Sequence, residues 1–565
     1  MNLSPRVLAL VLATARLSSF GSSLLFASLA VAEGPPVSPE GPGLERDIQY
    51  GFVVVGILAT LLAWWRPLPG GWLLVVTGVV LGMGAATRYT EQTSLVVALM
   101  FVIPGTLFLL AGVSGHRFRV QFVYGVAVAV LMVYGGVEAR ARHDDAFGPA
   151  HPQSTLEAQP HDKVEWVWSG GVSATSAIVS ARLSEPAVEV RLLMSPTESL
   201  EDPIYSALHS SDGDRVVKLN VDGLEPDTLY YYAIEVDGAV DALRRGTLQT
   251  FPSGAASFSI VVGSCARTGS SGAVFDALRA EDALLYLITG DAHYENITQD
   301  DPSRFQEAYQ TFLTSPAQAA LYRETPIAYV WDDHDFGGSN STSTSDAREA
   351  ARLSYRQNVP HYDLEAGDGN AAIHQAFSAG RVRFIMLDTR SMRNEEEMTD
   401  GSSSLLGSRQ REWLKQELLQ SSQTHALVAI VSPVPWIAPA ASSRDDWGGF
   451  ATERAEIADF IAENGIDNLL MLSGDAHMLA IDDGSNSDYS ERGAGGFPVF
   501  QAAALDRPGS VKGGPFSEGT FPGAGQYGLV NFQDDGEAIA VELHGLNWLG
   551  EEIVTHSFVA SARQQ

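Results

Sequence analysis

The sequence is short of cysteine, of positive charge and of lysine in particular. Cys265 is the single cysteine in 565 residues, so no intrachain disulfide can hold the fold together. Lysines and arginines number 36 against 68 aspartates and glutamates, a formal net charge of −32, and most of the positive charge is arginine. So acidic a chain is poorly suited to clamp a polyanion, and no specific nucleic-acid binding is expected. No serine sits in a Gly-x-Ser-x-Gly elbow beside an acidic cluster, which leaves a serine hydrolase poorly supported.

The length exceeds what one hydrophobic core serves, so two or more domains are expected. The hydrophobic content of 45% with 18% charged residues fits globular protein joined to membrane segments. Residues 1–32 carry Arg6, an apolar run interrupted by Arg16, and the ending Ala30-Val31-Ala32. That pattern reads as a signal peptide or a signal anchor. Four apolar stretches follow between 48 and 138: Ile48–Trp65, Leu68–Thr87, Ser94–Gly115 and Val120–Val137. Each approaches the roughly 20 residues needed to cross hydrocarbon, with Trp64, Trp65, Arg66 and Tyr134 at their edges. Whether the first segment is kept or cleaved, insertion of all of them leaves residue 140 onward outside the cytoplasm.

From Lys163 the pattern changes to short alternating runs separated by Ser-Gly-Gly and Asp-Gly turns. Leu224-Glu-Pro-Asp-Thr-Leu-Tyr-Tyr-Tyr232 resembles the fibronectin type III signature, in which a tyrosine fastens a sandwich corner. Residues 152–252 are therefore expected to form an Ig/fibronectin III-like β-sandwich, acting as a spacer or lid.

Residues 255–560 carry the chemistry. Short apolar runs, which read as buried strands, end in polar clusters. Phe258–Val262 stops at Gly-Ser-Cys265, and Ala283–Ile288 runs into Gly290-Asp-Ala-His-Tyr294. Ile327–Val330 stops at Trp331-Asp-Asp-His-Asp335, Val382–Leu387 at Asp388-Thr-Arg390, and Leu469–Leu472 at Ser473-Gly-Asp-Ala-His477. With helical stretches between them, these runs describe an α/β sheet whose ligands lie beyond the strand C-terminal ends. Carboxylates crowded there repel one another unless multivalent cations intervene. Two cations a few ångströms apart can activate a bridging water for attack on phosphorus.

Gly-Asp-x-x-Tyr-Glu, Trp-Asp-Asp-His-Asp-Phe-Gly followed by Asn340, Leu-Asp-Thr-Arg and Ser-Gly-Asp-Ala-His resemble, in that order, the alkaline phosphatase D family of the calcineurin-like metallophosphoesterases. The resemblance spans most of 160–500 and implies a phosphoesterase acting on a small phosphate monoester or diester through a metal-activated hydroxide. It implies Cys265 as a thiolate ligand to Fe(III) with Asp291, Tyr294 and His477. Asp291 would bridge to a second site where Asn340 and Asp475 bind Ca(II) or another hard cation. Asp333, His334 and Asp335 are candidates for outer support or leaving-group chemistry, with a cap and salt-bridge role the alternative. Arg267 and Arg390 are either phosphate clamps or fold-holding ion pairs, and His293 either reaches the pocket or faces solvent. Among these, His334, Asp333 and Arg390 are taken as catalytic. The competing reading is a catalytically silent, membrane-anchored binding protein.

Overall fold

The computed structural model describes residues 4–33, 44–86, 91–112 and 152–561, apart from 188, 212, 214, 368–370, 395–402, 441–444, 492, 494, 503 and 508. The chain divides into two compact units, 1–146 and 147–565.

The first unit contains helices Pro5–Glu33, Leu44–Trp65, Pro67–Ala86 and Glu91–Gly112. Among the described residues, Pro5–Ala27 is long and apolar enough to cross a membrane, and Val54–Trp65, Pro67–Leu81 and Val96–Gly112 are shorter apolar stretches. The expected crossing at Val120–Val137 lies outside the described residues. The unit buries hydroxyls alongside apolar side chains such as Leu12, Leu74 and Phe101. Ser19, Ser22, Ser23, Thr60 and Thr77 are buried, whereas Leu10, Leu17, Trp72 and Ile103 face outward. The Ser23 and Thr60 hydroxyls lie 2.9 Å apart, and the Ser22 hydroxyl donates to the Met100 carbonyl at 2.7 Å. Small residues let the helices approach closely: a Cβ on Gly71 would stand 2.8 Å from the Gly105 carbonyl oxygen.

The second unit is built on two large mixed sheets. In the first, strands Phe258–Gly263, Leu285–Thr289 and Ile327–Val330 run parallel, so their C-terminal ends align. The C-terminal strands Gln526–Asp534, Ala538–Asn547 and Glu552–Ser561 continue this sheet on one side as an antiparallel meander. In the second sheet, Val382–Met386, Leu427–Ser432, Leu469–Ser473 and Val499–Ala502 are parallel neighbours.

Alternation within those strands sorts side chains by face. Phe384, Ala429, Leu470 and Leu472 pack into a core shared with the first sheet. Ile385, Ile430, Leu469 and Met471 instead pack beneath helices Gly407–Thr424 and Ala451–Glu463. Helices Ala273–Ala280, Pro302–Leu313 and Pro316–Glu324 supply Phe275, Phe305, Phe312 and Leu321 to the shared core. The result is an α/β fold with mixed sheets and flanking helices.

The expected small β segment is present but is not detached. Strands Val164–Gly170, Ser176–Leu183 and Val216–Asp222 extend the first large sheet, because Gly170 pairs in parallel with Ile327. Val190–Ser195, Ile204–Tyr205, Leu229–Val236, Ala239–Val240 and Gly246–Gln249 form a separate sheet. Tyr230 accepts a hydrogen bond from the Glu225 backbone N–H at 2.9 Å through its hydroxyl, fastening the corner before its strand.

Candidate metal centre

Parallel pairing sets Gly263 beside Ile288 and Ile288 beside Tyr329, so three polar strand ends emerge side by side. The second sheet contributes the end at Ser473, paired with Ser432. The two sheets meet at Gly474, where a Cβ would stand 2.4 Å from the Thr289 carbonyl oxygen and 2.9 Å from the Ser264 hydroxyl. The Cys265 N–H donates to the Gly290 carbonyl at 3.3 Å and the Ala266 N–H to that of Asp291 at 2.9 Å.

The backbone then turns through the left-handed region at one nominated ligand after another. Cys265 (φ 62°), Asp291 (55°), Asn340 (59°), Asp475 (65°) and His477 (51°) all have positive φ. Side chains other than glycine adopt this conformation at a cost of order 1–3 kcal/mol each, and such strain clusters at functional sites.

The donor atoms converge. The Tyr294 hydroxyl lies 2.7 Å from Asp291 Oδ2 and 2.9 Å from His477 Nε2, and Cys265 Sγ lies 3.7 Å from the same Asp291 oxygen. Asp291, Asp332, Asp333 and Asp475 each bring a carboxylate oxygen within 4.8 Å of the others. All four are buried. Burial, with Asp333 next, pushes the Asp291 carboxyl well above its usual range, and burial with Asp445 does the same to Asp475. Burial followed by Asp291 likewise raises the Cys265 thiol and the Tyr294 phenol. Thiol, phenol, imidazole and carboxylates held this close are a donor set that a pair of cations would satisfy, so the residues fit a metal centre.

Asn340 is on the periphery. Its backbone N–H donates to Asp333 Oδ2 at 2.5 Å, and its side-chain amide nitrogen faces Asp445 at 2.7 and 3.1 Å. Asp445 also accepts from Lys512 Nζ at 2.8 Å, and the same ammonium reaches both Asp475 oxygens at 2.8 and 3.0 Å. Asp475, Asp445 and Asn340 thus form a second, oxygen-rich group around a lysine.

The other nominated residues separate. Asp335 is structural: it accepts from the backbone of Ala292 and Asp332 and from the Tyr329 hydroxyl at 2.5–3.0 Å. His334 is half-buried, with Nδ1 2.5 Å from Asn296 Oδ1 and Nε2 3.9 Å from Asp333. Its ring lies 4.0 Å from that of Tyr294. Arg390 is fully buried, with Nε 2.5 Å from Asp332 and Nη2 3.0 Å from Asp445. Ion pairs occupy its Nε and Nη2, while Nη1 is buried without a hydrogen-bond partner. His293 neither faces solvent nor touches the donors; it is buried among Phe305, Tyr309 and Phe312.

Asp332, Asp445, Lys512, Arg507 and Asn296 were not singled out from sequence. Asp332 stood within a recognised strand end. Asp445 and Lys512 lie in irregular segments that no apolar run announces.

Residues 260–511 match the model of the PhoD-like phosphatase family. The chain is 22% identical over 311 residues to alkaline phosphatase D of Bacillus subtilis (strain 168), covering 46% of this chain and 53% of that protein. It is 25% identical over 306 residues to purple acid phosphatase 23 of Arabidopsis thaliana, covering 48% and 60%. The chain therefore spans between half and two thirds of the length of these curated relatives. A solved structure of PhoD superposes with a TM-score of 0.57 at 17% identity, covering 70% of this chain and 90% of that one, a likeness of fold.

Proposed function

We propose that the chain, whose residues 260–511 match the PhoD-like phosphatase family, is a metal-dependent phosphoesterase hydrolysing small phosphate monoesters or diesters. One observation carries the proposal: Cys265, Tyr294 and His477 converge on Asp291, and the Asp291 carboxylate also stands beside that of Asp475.

Cys265, Asp291, Tyr294 and His477 would hold Fe(III), since anionic sulfur and phenolate donors suit that ion. Asp475 and Asn340, with Asp445 beside them, would hold Ca(II), and Asp291 would serve both. Bound there, the two cations supply Lewis acidity and a water activated at neutral pH. The protein's own part is to present the donors deprotonated and in register. Tyr294 gives up the proton it shares with Asp291, and the strained turns at Cys265, Asp291, Asp475 and His477 fix where each atom points. His334 is the side chain placed to meet the leaving oxygen: Asn296 accepts from Nδ1–H, and Asp333 near Nε2 opposes the lowering that burial imposes on the ring. Arg390 orients the Asp332 and Asp445 carboxylates and also stands 4.0 Å from Asp333.

For the rest of the chain, we read the first unit as a multi-pass anchor that leaves the catalytic unit outside the cytoplasm. Its outward apolar faces and inward hydroxyls support a lipid surrounding. Residues 152–252 are read as an Ig/fibronectin III-type sandwich that shares a sheet with the catalytic fold, supported by the Tyr230 corner hydrogen bond.

The test is Asp291→Asn, which keeps the side chain's size and removes its charge. Turnover of a model phosphate ester should fall at least about a hundredfold, as when a preorganised group is lost, and metal content should fall with it. Near wild-type turnover in a folded variant would show that the active site lies elsewhere.

A further inference from the structure

A phosphate ester approaching a chain of net charge −32 needs a cation that is not already committed to a carboxylate. Arg390 and Lys512 are committed: the first lies on Asp332 and Asp445, the second on Asp475 and Asp445. Arg507 is not. It is half-buried and forms no hydrogen bond or ion pair with a described residue, and its Nε is shielded from solvent without a partner. Its guanidinium carbon stands 4.1 Å from the centre of the Tyr294 ring.

The segment carrying Arg507 is fastened to both donor-bearing strand ends. The Leu505 N–H donates to the Ser264 carbonyl at 3.1 Å, and Asp506 accepts from the Arg267 N–H. Ser510 donates through its N–H to the His477 carbonyl and through its hydroxyl to that of Ala476, each at 3.0 Å. The guanidinium is therefore held over the donor cluster from two sides. Burial pushes the Tyr294 phenol up and the His334 imidazole down, and the charge of Arg507 is among the neighbours lowering both.

A cation stacked on the ring of a donor tyrosine, with no described carboxylate bonded to it, is arranged for an anion that arrives from outside. We propose that Arg507 grips the non-bridging oxygens of the substrate's phosphoryl group, with the Tyr294 ring as its platform. The planar N–H fork of arginine matches two phosphate oxygens at once. This assignment rests on the phosphoesterase reading above and adds to it the residue that recognises the phosphate.

The full chain is compared with Arg507→Ala and Arg507→Lys by calorimetric titration of inorganic phosphate, by steady-state kinetics on a phosphomonoester, and by metal analysis. Losing a charged hydrogen-bonding group should weaken phosphate binding and raise KM by about tenfold to a hundredfold in Arg507→Ala. The loss should fall in KM more than in kcat, metal content should match the wild type, and Arg507→Lys should recover part of the affinity. Unchanged phosphate affinity and KM in Arg507→Ala would overturn the assignment. So would loss of metal in proportion to affinity, which would make Arg507 a prop for Tyr294. If the wild type binds phosphate but hydrolyses no ester, the phosphoesterase reading falls, and the Arg507→Ala titration still decides the clamp. A wild type that does not bind phosphate overturns it.

Discussion

Single residues in this protein are held where an unconstrained chain would not put them. Five of the six side chains nominated as ligands occupy left-handed backbone, and the sixth, Tyr294, is pinned between Asp291 and His477. If Tyr294 binds Fe(III) as a phenolate, the pure protein is coloured by charge transfer from ligand to metal. Tyr294→Phe should then shift or bleach the visible band; an absorption spectrum unchanged by the substitution would remove Tyr294 from the iron site.

Away from the site, His374 shows what burial does to a lone imidazole. It is buried against Trp413, with Nδ1 lacking a partner, and burial brings its pKa down to about 4, Asp388 opposing and Arg409 adding. An unfolded histidine titrates near 6.5, so between about pH 6.5 and 4 the unfolded chain takes up a proton that the folded one refuses. Stability is full above this window and falls as the pH drops through it, by up to about 3 kcal/mol for this residue. Urea unfolding at pH 7 and pH 4.5 should show a smaller difference for His374→Phe than for the wild type. An equal difference would mean that His374 titrates normally.

At the scale of elements, the site exists because the strand ends of two packed sheets meet. Gly474 is the contact, and the obstacle facing a Cβ there is the backbone carbonyl of Thr289. Gly474→Ala should push Asp475 and His477 away from Asp291. An ångström of misplacement can cost about a hundredfold in rate, so turnover should fall by that order while circular dichroism reports an intact fold. Wild-type activity in this variant would show that the strand ends have slack.

The same scale explains what was legible. Cys265, Asp291, Tyr294, Asp475 and His477 were readable because each follows an apolar run whose end marks the binding edge of an α/β sheet. Tyr230 was readable from its corner motif. The union of Gly170 with Ile327 was not, because a parallel pair between residues so far apart leaves no periodic trace. Nor were Asp445, Lys512 and Arg507, which reach the site from irregular backbone. Arg390 could be placed near the site but not assigned, since its role depends on two carboxylates from other segments.

At the scale of the whole molecule, two units of opposite character share one chain. The first buries hydroxyls within an apolar core and exposes further apolar side chains such as Leu10 and Leu17, while the second buries apolar strands and gathers acids at their ends. The acidic excess that argued against nucleic acid is partly explained by the second unit, where Asp291, Asp332, Asp333 and Asp475 crowd together. Burial and neighbouring carboxylates push the Asp291 and Asp475 carboxyls well above their usual range, a penalty on the anionic donors that a bound cation would offset. The most direct measurement is turnover of a phosphomonoester and a phosphodiester by the purified protein, before chelation, after it, and after metals are restored. The account predicts hydrolysis of at least one ester, its loss with the metals, and its return when Fe(III) and Ca(II) are supplied together. Full turnover by protein shown to be free of metal would contradict it.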